Sequence, residues 1–340
     1  MVEEYENARL ATIRIGDHDA FQLMTDPYRQ ELLIHCYRML GSLDDAEDAL
    51  QETFLRAWRR LDSLKEQASL RAWLYKIATN VSLDMLDNRK ARSIPTMIFA
   101  PADPQDPLPA PINDPIWLDP LPDEYIDGLS LDPEARVETR ESVALAFLAV
   151  LQNLPGRQRA VLILRDVLGW RAQEVSELLN ITAAAVNSAL QRARATIKKQ
   201  QTDLALYSLA AVEDTPTADL LSRYVMAWET ADSTSLITLL REDAILTMPP
   251  LPAWYRGRAA IKEFLDAYLF TGPAKSRFRL IATRANGCPA FAVYQLDENG
   301  VYRPVTLQVL TIAHGLVAQM DDFLSQDDKL FSRFNLPLMV

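Results

Sequence analysis

Apolar residues recur at three- and four-residue spacing through most of residues 1–92 and 136–200, a period that predicts amphipathic helices. The clearest stripe consists of Ala46, Leu50, Phe54, Trp58 and Leu61. Ser42 precedes this stripe and Asp45 follows three residues later, which predicts an N-cap at Ser42. The acidic residues that crowd the other face suit the helix dipole, and they would also suit a basic partner surface.

The stretch at 70–86 predicts a second helix, in which aromatic and basic residues alternate. Trp73, Ile77 and Val81 share one side, and Arg71, Lys76 and Asn80 are among the residues around the rest. Basic side chains can hold the phosphates of a single strand while unstacked bases rest on rings. The residues alone also allow a simpler interpretation, in which Trp73 belongs to a core and the charges are solvated.

A helix-turn-helix is predicted between residues 154 and 199. A short helix at 172–179 is followed by Asn180, which tolerates a left-handed turn, and by Thr182 as the cap of a longer helix. The inner stripe of the longer helix is Val186, Leu190, Ala193 and Ile197. Small and polar side chains on its outer face suit the DNA major groove. Helical hairpins that bind no DNA share this pattern.

From residue 217 onward the pattern changes from helices alone to helices followed by strands. Helices are predicted at 219–230, 233–240 and 258–269, and strands at 244–248, 278–284, 290–296, 302–313 and 316–323. Asn299-Gly300 and His314-Gly315 are typical hairpin turns. Helices followed by an antiparallel meander predict an α+β domain.

The segment at 93–135 differs in composition from everything around it. It contains ten prolines, nine acidic residues and no basic residue, which predicts an extended and mostly disordered linker. Trp117, Leu118, Tyr125 and Ile126 are unusual in a spacer and suggest docking on a folded domain. The chain thus divides into a helical domain at 1–92, this linker, a helix-turn-helix domain at 136–200, a second linker at 201–216, and the α+β domain at 217–340.

Charge and cysteine usage narrow the class of protein. The net charge is −11, yet residues 56–92 and 136–200 each carry a net charge of +5. Local positive charge attracts phosphate, whatever the charge of the whole chain. Cys36 and Cys288 are isolated, which fits a reducing cytoplasm and predicts neither a disulfide framework nor a metal site. No cofactor is predicted.

Membrane and secretory segments are not expected. The longest apolar run has nine residues, whereas a membrane-spanning helix needs about 20. The acidic N-terminus lacks the basic start and apolar stretch of a secretory signal. We therefore expect a cytoplasmic protein.

Three stretches together resemble the sigma-70 family of transcription initiation factors. Residues 44–54 (DDAEDALQETF) are similar to the polymerase-binding segment of region two, and residues 71–80 (RAWLYKIATN) look like the promoter-melting segment. Residues 154–194 resemble region four. The absence of a region three between them is typical of the extracytoplasmic function group.

The resemblance implies core RNA polymerase and promoter DNA as partners, and it implies three sets of residues. The polymerase-binding set is Asp44, Asp45, Glu47, Asp48, Ala49, Leu50, Gln51 and Phe54. The set for the −10 promoter element is Arg71, Trp73, Lys76, Asn80, Arg89 and Lys90. The set for the −35 element is Arg171, Thr182, Ala183, Asn187, Ser188, Gln191, Arg192, Arg194 and Lys198. Arg171 stands where the family usually has a Ser or Thr cap.

The C-terminal part resembles SnoaL-like domains, which have the cone-shaped nuclear-transport-factor-like fold. The likeness rests on residues 224–228, 243–244 and 255–261, and sigma factors with such a domain form the sigma-J and sigma-G type. It implies that the domain regulates the sigma core and that the protein is not an enzyme. Candidate residues for a small-molecule pocket are Tyr224, Trp228, Trp254, Tyr255, Arg279 and Tyr294.

One alternative class stays open at this point. The protein would then be a helix-turn-helix regulator that binds DNA without polymerase, with a ligand-sensing or enzymatic SnoaL-like domain.

Overall fold

The computed structural model describes residues 18–64, 69–87, 91–114, 116–129, 133–204, 215–271, 277–325 and 327–340. These residues form two compact units. The first unit consists of the described residues within Met1–Arg92, Glu124–Ser142 and Val150–Gln200. The second consists of those within Ser93–Asp123, Val143–Ala149 and Gln201–Val340.

The N-terminal part of the first unit is built from helices α1 (His18–Thr25), α2 (Arg29–Leu40), α3 (Leu43–Arg59) and α4 (Leu70–Asp87). Gly41 ends α2 in a left-handed conformation with φ 71°. The Ser42 hydroxyl accepts a hydrogen bond from the Asp45 amide at 3.4 Å, which confirms the predicted cap. The apolar stripes of α2, α3 and α4 meet in a common core. The two helices predicted in this region are confirmed.

The chain continues through α5 (Pro95–Ile98), α6 (Glu124–Asp127), α7 (Pro133–Val143), α8 (Leu145–Gln152), α9 (Gly156–Leu162), α10 (Ala172–Leu179) and α11 (Ala183–Leu204). A wider π-helical turn at Ile163–Val167 extends α9. Asn180 adopts a left-handed φ of 54°, and the Thr182 hydroxyl accepts a hydrogen bond from the Ala185 amide at 3.1 Å. The predicted helix-turn-helix is therefore confirmed.

The second unit contains helices α12 (Thr215–Glu229), α13 (Ser233–Thr238), α14 (Arg258–Phe264) and α15 (Lys329–Arg333). Its strands are β1 (Leu240–Thr247), β2 (Trp254–Arg256), β3 (Phe278–Ala285), β4 (Cys288–Leu296), β5 (Tyr302–Ala313) and β6 (Leu316–Leu324). They form one sheet in the order β2-β1-β6-β5-β4-β3.

The α+β prediction is confirmed, and three of its details are corrected. β1 pairs with β6 in parallel, whereas the other neighbouring strands are antiparallel. β1 begins at Leu240, which the helical pattern had assigned to the end of the preceding helix. The short elements β2 and α15 were missed, because three to five residues hold too few periods to be recognised.

The two faces of this sheet pack against different partners. The inner face contributes Phe291, Val293, Leu310 and Met320 to a core shared with Tyr224 and Trp228 of α12. The outer face carries Ala292 and Tyr294, which pack with Phe331 of α15. The inner face is therefore the concave side that α12 covers.

The described residues of Ser93–Asp123, which we call the strap, lie along the C-terminal domain in the second unit. The Ala102 amide donates to the Trp254 carbonyl at 2.8 Å, and the Trp254 indole donates to the Phe99 carbonyl at 2.9 Å. Further along, the Ile112 amide donates to the Pro250 carbonyl at 2.9 Å. The prediction of a mostly disordered linker is therefore wrong for the strap, because its backbone groups are paired with a folded domain.

The far end of the strap is held by side chains of β3 and of the turn that follows it. The Leu121 amide donates to Asn286 Oδ1 at 2.8 Å, and Asn286 Nδ2 donates to the Val143 carbonyl at 2.7 Å. Asp123 forms an ion pair with Arg284 at 2.9 Å. Trp117 and Leu118 are buried, and so is Ile126 in the first unit, in keeping with the docking predicted for these apolar residues.

Candidate nucleic-acid and polymerase interface

The residues implied in polymerase binding are divided between the surface and the core of the first unit. Asp45 is buried and forms an ion pair with Arg92 at 2.6 Å, and Ala49 and Leu50 are buried as well. The exposed members are Glu47, Asp48 and Gln51, and the half-buried members are Asp44 and Phe54. The role in polymerase binding stays a prediction, and in this state the exposed members offer the surface for it.

A basic pocket of about 240 Å³ lies where α4 meets the end of α3. It is lined by Arg56, Arg60, Ser63, Trp73, Lys76, Ile77 and Asn80. Lys76 and Asn80 are exposed, whereas Trp73 is half-buried. Three of the predicted −10 residues are thus brought together. The two arginines were visible in the sequence only as part of a basic segment, and the helix packing places them at this pocket.

Arg71 is engaged inside the protein. Its guanidinium forms a bidentate contact with Glu31, with Nε–Oε1 at 3.0 Å and Nη2–Oε2 at 2.8 Å, and lies 5.1 Å from the centroid of the Tyr75 ring. Arg71 must leave this pair to bind a phosphate. Arg89 and Lys90, the other predicted −10 cations, lie outside the described residues.

The outer face of the helix-turn-helix is open along the predicted −35 residues. Arg171, Thr182, Asn187, Ser188, Gln191, Arg192, Arg194 and Lys198 are exposed, and Ala183 is half-buried. Arg171 holds the start of α10 through its own backbone, because its amide donates to Glu174 Oε2 at 2.6 Å. Arg194 is paired with Asp166 through two contacts of 2.8 and 2.7 Å. The base-reading role of this face stays a prediction.

The helix-turn-helix packs against α4 within the first unit. Lys76 Nζ donates to the Glu177 carbonyl at 3.1 Å, and the Tyr75 and Trp170 rings lie 5.3 Å apart. An open groove of about 570 Å³ runs between the two parts and includes Trp73 and Lys76 on one side and Trp170 and Glu174 on the other. The predicted −10 face and α10 therefore share one surface in this state.

Buried arginines join the two parts from the inside. Arg159 of α9 donates to the carbonyls of Met39, Gln152 and Leu154 and to the Gln152 side chain. Arg38 of α2 donates to the Ser142 hydroxyl at 2.6 Å. Burial lowers the pKa of each guanidinium to about 10, so both remain charged at neutral pH.

A buried histidine lies beside this junction. His35 Nε2 is 2.9 Å from the Thr79 hydroxyl. Burial, together with the charge of Arg38, lowers the pKa of His35 to about 3, so the ring is neutral at physiological pH. It contributes a hydrogen bond between α2 and α4 and no charge.

The six residues proposed for a C-terminal pocket do not converge. Tyr224 and Trp228 lie over the inner face of the sheet, and Tyr255 stacks on Phe264 with ring centroids 4.7 Å apart. Trp254 donates to the strap. Arg279 is exposed over Tyr302, and Tyr294 donates to the Pro337 carbonyl on the outer face. Including Arg279 and Tyr294 was wrong, because strand residues alternate between faces and these two point away from α12.

Two carboxyl groups of β6 have pKa values far above normal. Burial raises the pKa of Asp321 to about 6 and that of Asp322 to about 7, where the neighbouring Asp321 adds to the rise. A raised pKa in the folded state means that the native domain holds protons which the unfolded chain releases. We therefore expect the stability of the C-terminal domain to fall as pH rises from about 4 to about 7.

Asp322→Asn is expected to flatten part of this decline and to stabilise the domain at pH 8 relative to the parent protein. Thermal unfolding between pH 4 and pH 8 checks both effects, with the exposed Asp327→Asn as the matched control. A slope that is identical in the Asp322→Asn variant and the parent would contradict the assignment.

The fold and the two candidate interfaces define a class of protein. A helix-turn-helix and a basic, ring-lined helix belong to one helical unit, and an α+β domain follows along the chain. This is the arrangement of a multidomain DNA-binding protein. In the part of the chain that the structure describes, no helix is long and apolar enough to cross a membrane.

Comparison with known families identifies each part. Residues 24–92 match sigma-70 region 2, residues 144–197 match sigma-70 region 4, and residues 221–320 match the SnoaL-like domain. The extracytoplasmic function (ECF) sigma factor SigG of Mycobacterium tuberculosis is 44% identical over 327 residues, which covers 95% of this chain and 85% of SigG. SigW of Bacillus subtilis is 31% identical over 197 residues, 58% of this chain and 96% of SigW.

A solved structure has the same fold. The crystal structure of SigJ from M. tuberculosis superposes with a TM-score of 0.57 at 24% identity, covering 91% of this chain and 97% of SigJ. The chain belongs to the ECF family of RNA polymerase sigma factors and carries a C-terminal SnoaL-like domain. This family is not a family of enzymes.

Proposed function

We propose that this sigma factor directs core RNA polymerase to promoters by dividing DNA recognition between the pocket at α4 and the outer face of α11. The observation that carries the proposal is the joint presence of a basic pocket containing a ring and an exposed polar recognition helix in one helical unit. The first can hold an unstacked base, and the second can enter a major groove. Promoter recognition takes place in the cytoplasm, where polymerase and promoter DNA meet.

The pocket at α4 suits a flipped base of the opened −10 element. Trp73 provides a ring for stacking and Asn80 an amide for a base edge, and Arg60 and Lys76 provide positive charge for the strand's phosphates. Arg56 is paired with Glu52 at 2.7 Å and Asp84 at 2.8 Å, so it must leave these carboxylates to bind a phosphate. Extruding a base costs a few kcal/mol, so a pocket of this kind must recover that energy. Core polymerase binds through the exposed side chains of α3 and positions the pocket over the DNA.

The first unit must open for both elements to be read. Elements centred at −10 and −35 are separated by roughly 25 base pairs, or about 85 Å of duplex. In this structure Lys76 of α4 touches Glu177 of α10, and α10 belongs to the helix-turn-helix. One closed unit cannot reach both elements, so the state described here is the inactive one, and binding to polymerase separates its two parts.

The dependence on polymerase is tested by a gel shift with labelled promoter DNA. We expect specific binding only after core polymerase is added, because the closed unit cannot reach both promoter elements at once. Tight, sequence-specific binding by the sigma factor alone would contradict the proposal and favour a plain helix-turn-helix regulator. A scrambled promoter with the same base composition is the control.

Side chains of α11 that read bases and side chains that bind phosphates should affect promoter binding differently. Gln191→Ala is expected to lower affinity for the −35 element by about 1–3 kcal/mol and to relax base preference there, because an amide can read a base edge. Lys198→Ala is expected to weaken binding equally for all sequences and to reduce the salt dependence by about one charge. Titration of the holoenzyme at several salt concentrations measures both. The opposite pattern would reverse the assigned roles.

We propose further that the SnoaL-like domain regulates the sigma core by holding the strap, which joins region two to region four. The support is the set of hydrogen bonds that link Phe99, Ala102, Ile112 and Leu121 to that domain, with the Phe99 carbonyl as an acceptor and the other three amides as donors. A strap that is bound along its length is not free to extend between separating parts. Release of the strap is then a condition of opening.

Two variants test this regulation. Truncation after residue 205 removes the domain, and Asn286→Gly removes the side-chain bonds to Leu121 and Val143 while keeping the positive φ that Asn286 adopts. Both should change transcription in vitro from a fixed promoter. Unchanged transcription and unchanged polymerase affinity in both variants would count against regulation by the domain.

A further inference from the structure

Arg71 lies beside Trp73 and Lys76 along the groove of the first unit, and an acidic partner holds its guanidinium there. Nε of Arg71 is 3.0 Å from both carboxylate oxygens of Glu31, and Nη2 is 2.8 Å from Oε2. Glu31 belongs to α2 and Arg71 to α4, so the pair joins two helices. A bidentate contact of this kind is stronger and more directional than a single charged hydrogen bond.

Tyr75 gives the pair a fixed position. The guanidinium carbon of Arg71 lies 5.1 Å from the centroid of the Tyr75 ring, and the Tyr75 hydroxyl donates to Glu31 Oε2 at 3.4 Å. The ring is buried and packs against His35 at 5.0 Å and against Trp170 at 5.3 Å. Because neighbours hold the ring in place, Arg71 has both a carboxylate and an aromatic face to bind within the protein.

A second arginine of the same surface is engaged in a similar way. Arg56 pairs with Glu52 of its own helix at 2.7 Å and with Asp84 of α4 at 2.8 Å. Arg60 lines the same pocket, and no acidic side chain among the described residues pairs with it. The α4 face therefore contains more positive charge than it offers to DNA in this state.

A carboxylate and a DNA phosphate compete for the same guanidinium. The side chain of Arg71 is 41% exposed and that of Glu31 is 21% exposed, so a strand can reach the cation while its partner stays mostly covered. Glu31 is tethered next to Arg71, whereas a loosely held strand must be ordered before its phosphate can replace the carboxylate. We expect the tethered carboxylate to win against a strand that the base pocket does not fix.

We propose that Glu31 is a positioning residue for DNA binding, which holds Arg71 away from phosphates and keeps the binding of non-promoter single strands weak. The inference rests on the proposed function, because it requires that the α4 face meets a single strand. A genome offers far more non-promoter sites than promoters, so weak background binding leaves more of the protein available for promoters. Glu31 acts through Arg71 and itself touches no DNA.

The test measures the binding of a short fluorescent oligothymidine to the full-length protein by anisotropy at several salt concentrations. Glu31→Gln keeps the shape of the side chain and removes its charge. One more phosphate contact on a single strand steepens the slope of log affinity against log salt by about 0.7. For a purely electrostatic contact, Glu31→Gln should bind about eightfold more tightly than the parent at about 50 mM salt and about threefold more tightly at about 200 mM.

A double-mutant cycle with Arg71→Gln separates two ways in which the charge of Glu31 can act. If Glu31 acts by withholding Arg71, most of the gain from Glu31→Gln disappears once Arg71 is replaced. A carboxylate that only repels DNA through the general field gives the same gain in both backgrounds. Asp62→Asn is the matched control and should leave the salt slope unchanged, because Asp62 is an exposed acid beside the pocket residue Ser63 and no described basic side chain pairs with it.

Glu31→Ala is the second variant, because it also removes the hydrogen bonds to Arg71, and it should give the same steeper slope. Melting temperatures establish that each variant is folded during the titration. An unchanged salt slope in both Glu31 variants, or equal gains with and without Arg71, would overturn the inference and leave the proposed function standing. Failure of the parent and of every variant to bind the oligonucleotide at the lowest salt would contradict the proposed function of the α4 face, and the inference with it.

Discussion

Replacing Trp73 with alanine should reduce open-complex formation by roughly 5- to 150-fold, since stacking of a base on an aromatic ring contributes about 1–3 kcal/mol. The ring is half-buried at the pocket where Arg56, Lys76 and Asn80 also meet. Binding to core polymerase should not change, because the exposed acidic side chains of α3 lie outside the pocket. Fluorescence of a 2-aminopurine in the −10 element measures the loss directly.

The matched control for this prediction is Trp58→Ala. Trp58 is also half-buried, but its ring packs edge-on against His18 and Phe21 at 5.5 and 5.2 Å and does not line the pocket. Its loss should lower stability and leave base capture intact in the folded fraction. An equal defect in both variants at matched folded concentration would show that Trp73 acts only through packing.

Arg159→Met should lower the free energy of unfolding of the first unit by about 2–4 kcal/mol. Several buried oxygens of Met39, Gln152 and Leu154 lose their donor, at about 1–3 kcal/mol for each acceptor left unpaired. The substitution also removes a buried charge whose pKa burial has already lowered to about 10, and this offsets part of the loss.

Hydrogen exchange of the α9 amides during chemical denaturation measures the effect of Arg159→Met. The exposed Arg157, two residues earlier on the same helix, provides the control Arg157→Met, which should change stability by less than about 0.5 kcal/mol. Comparable effects in the two variants would mean that Arg159 does not join α9 to α2.

Local signals in the sequence were sufficient for the long helices of the first unit. Ser42 and Thr182 cap helices where predicted, and Asn180 takes the left-handed turn between α10 and α11. Each of these features depends on residues a few positions apart, so a single sequence contains the whole cause. The hairpin turns at Asn299-Gly300 and His314-Gly315 follow the same rule, with Gly300, His314 and Gly315 at positive φ.

Features that depend on contacts between residues far apart in the chain could not be predicted from local signals. The strap is acidic and rich in proline, and only the folded domain supplies the Trp254, Pro250 and Asn286 groups that pair its backbone. Arg159 looked like one more cation of a basic segment, although it is buried among carbonyls of α2 and α8. Whether a residue is buried in this way depends on which helices pack together, and composition does not determine that packing.

The candidate pockets show the same difference between features with a local cause and features that depend on distant residues. Trp73, Lys76 and Asn80 were placed together correctly because a single helix carries all three. In the C-terminal domain, Arg279 and Tyr294 were assigned to the wrong face because a one-residue change in strand parity reverses every side chain.

The most direct test of the central claim is a distance measurement between region two and region four, free and in the holoenzyme. Fluorophores on Asp62→Cys and Gln173→Cys would report it, because both positions are exposed and lie next to the groove residues Ser63 and Glu174, while the native cysteines are buried. The account predicts high energy transfer in the free protein. On core polymerase with promoter DNA, transfer should collapse as the two parts separate toward the roughly 85 Å between their elements. Undiminished transfer in an active holoenzyme would contradict the account.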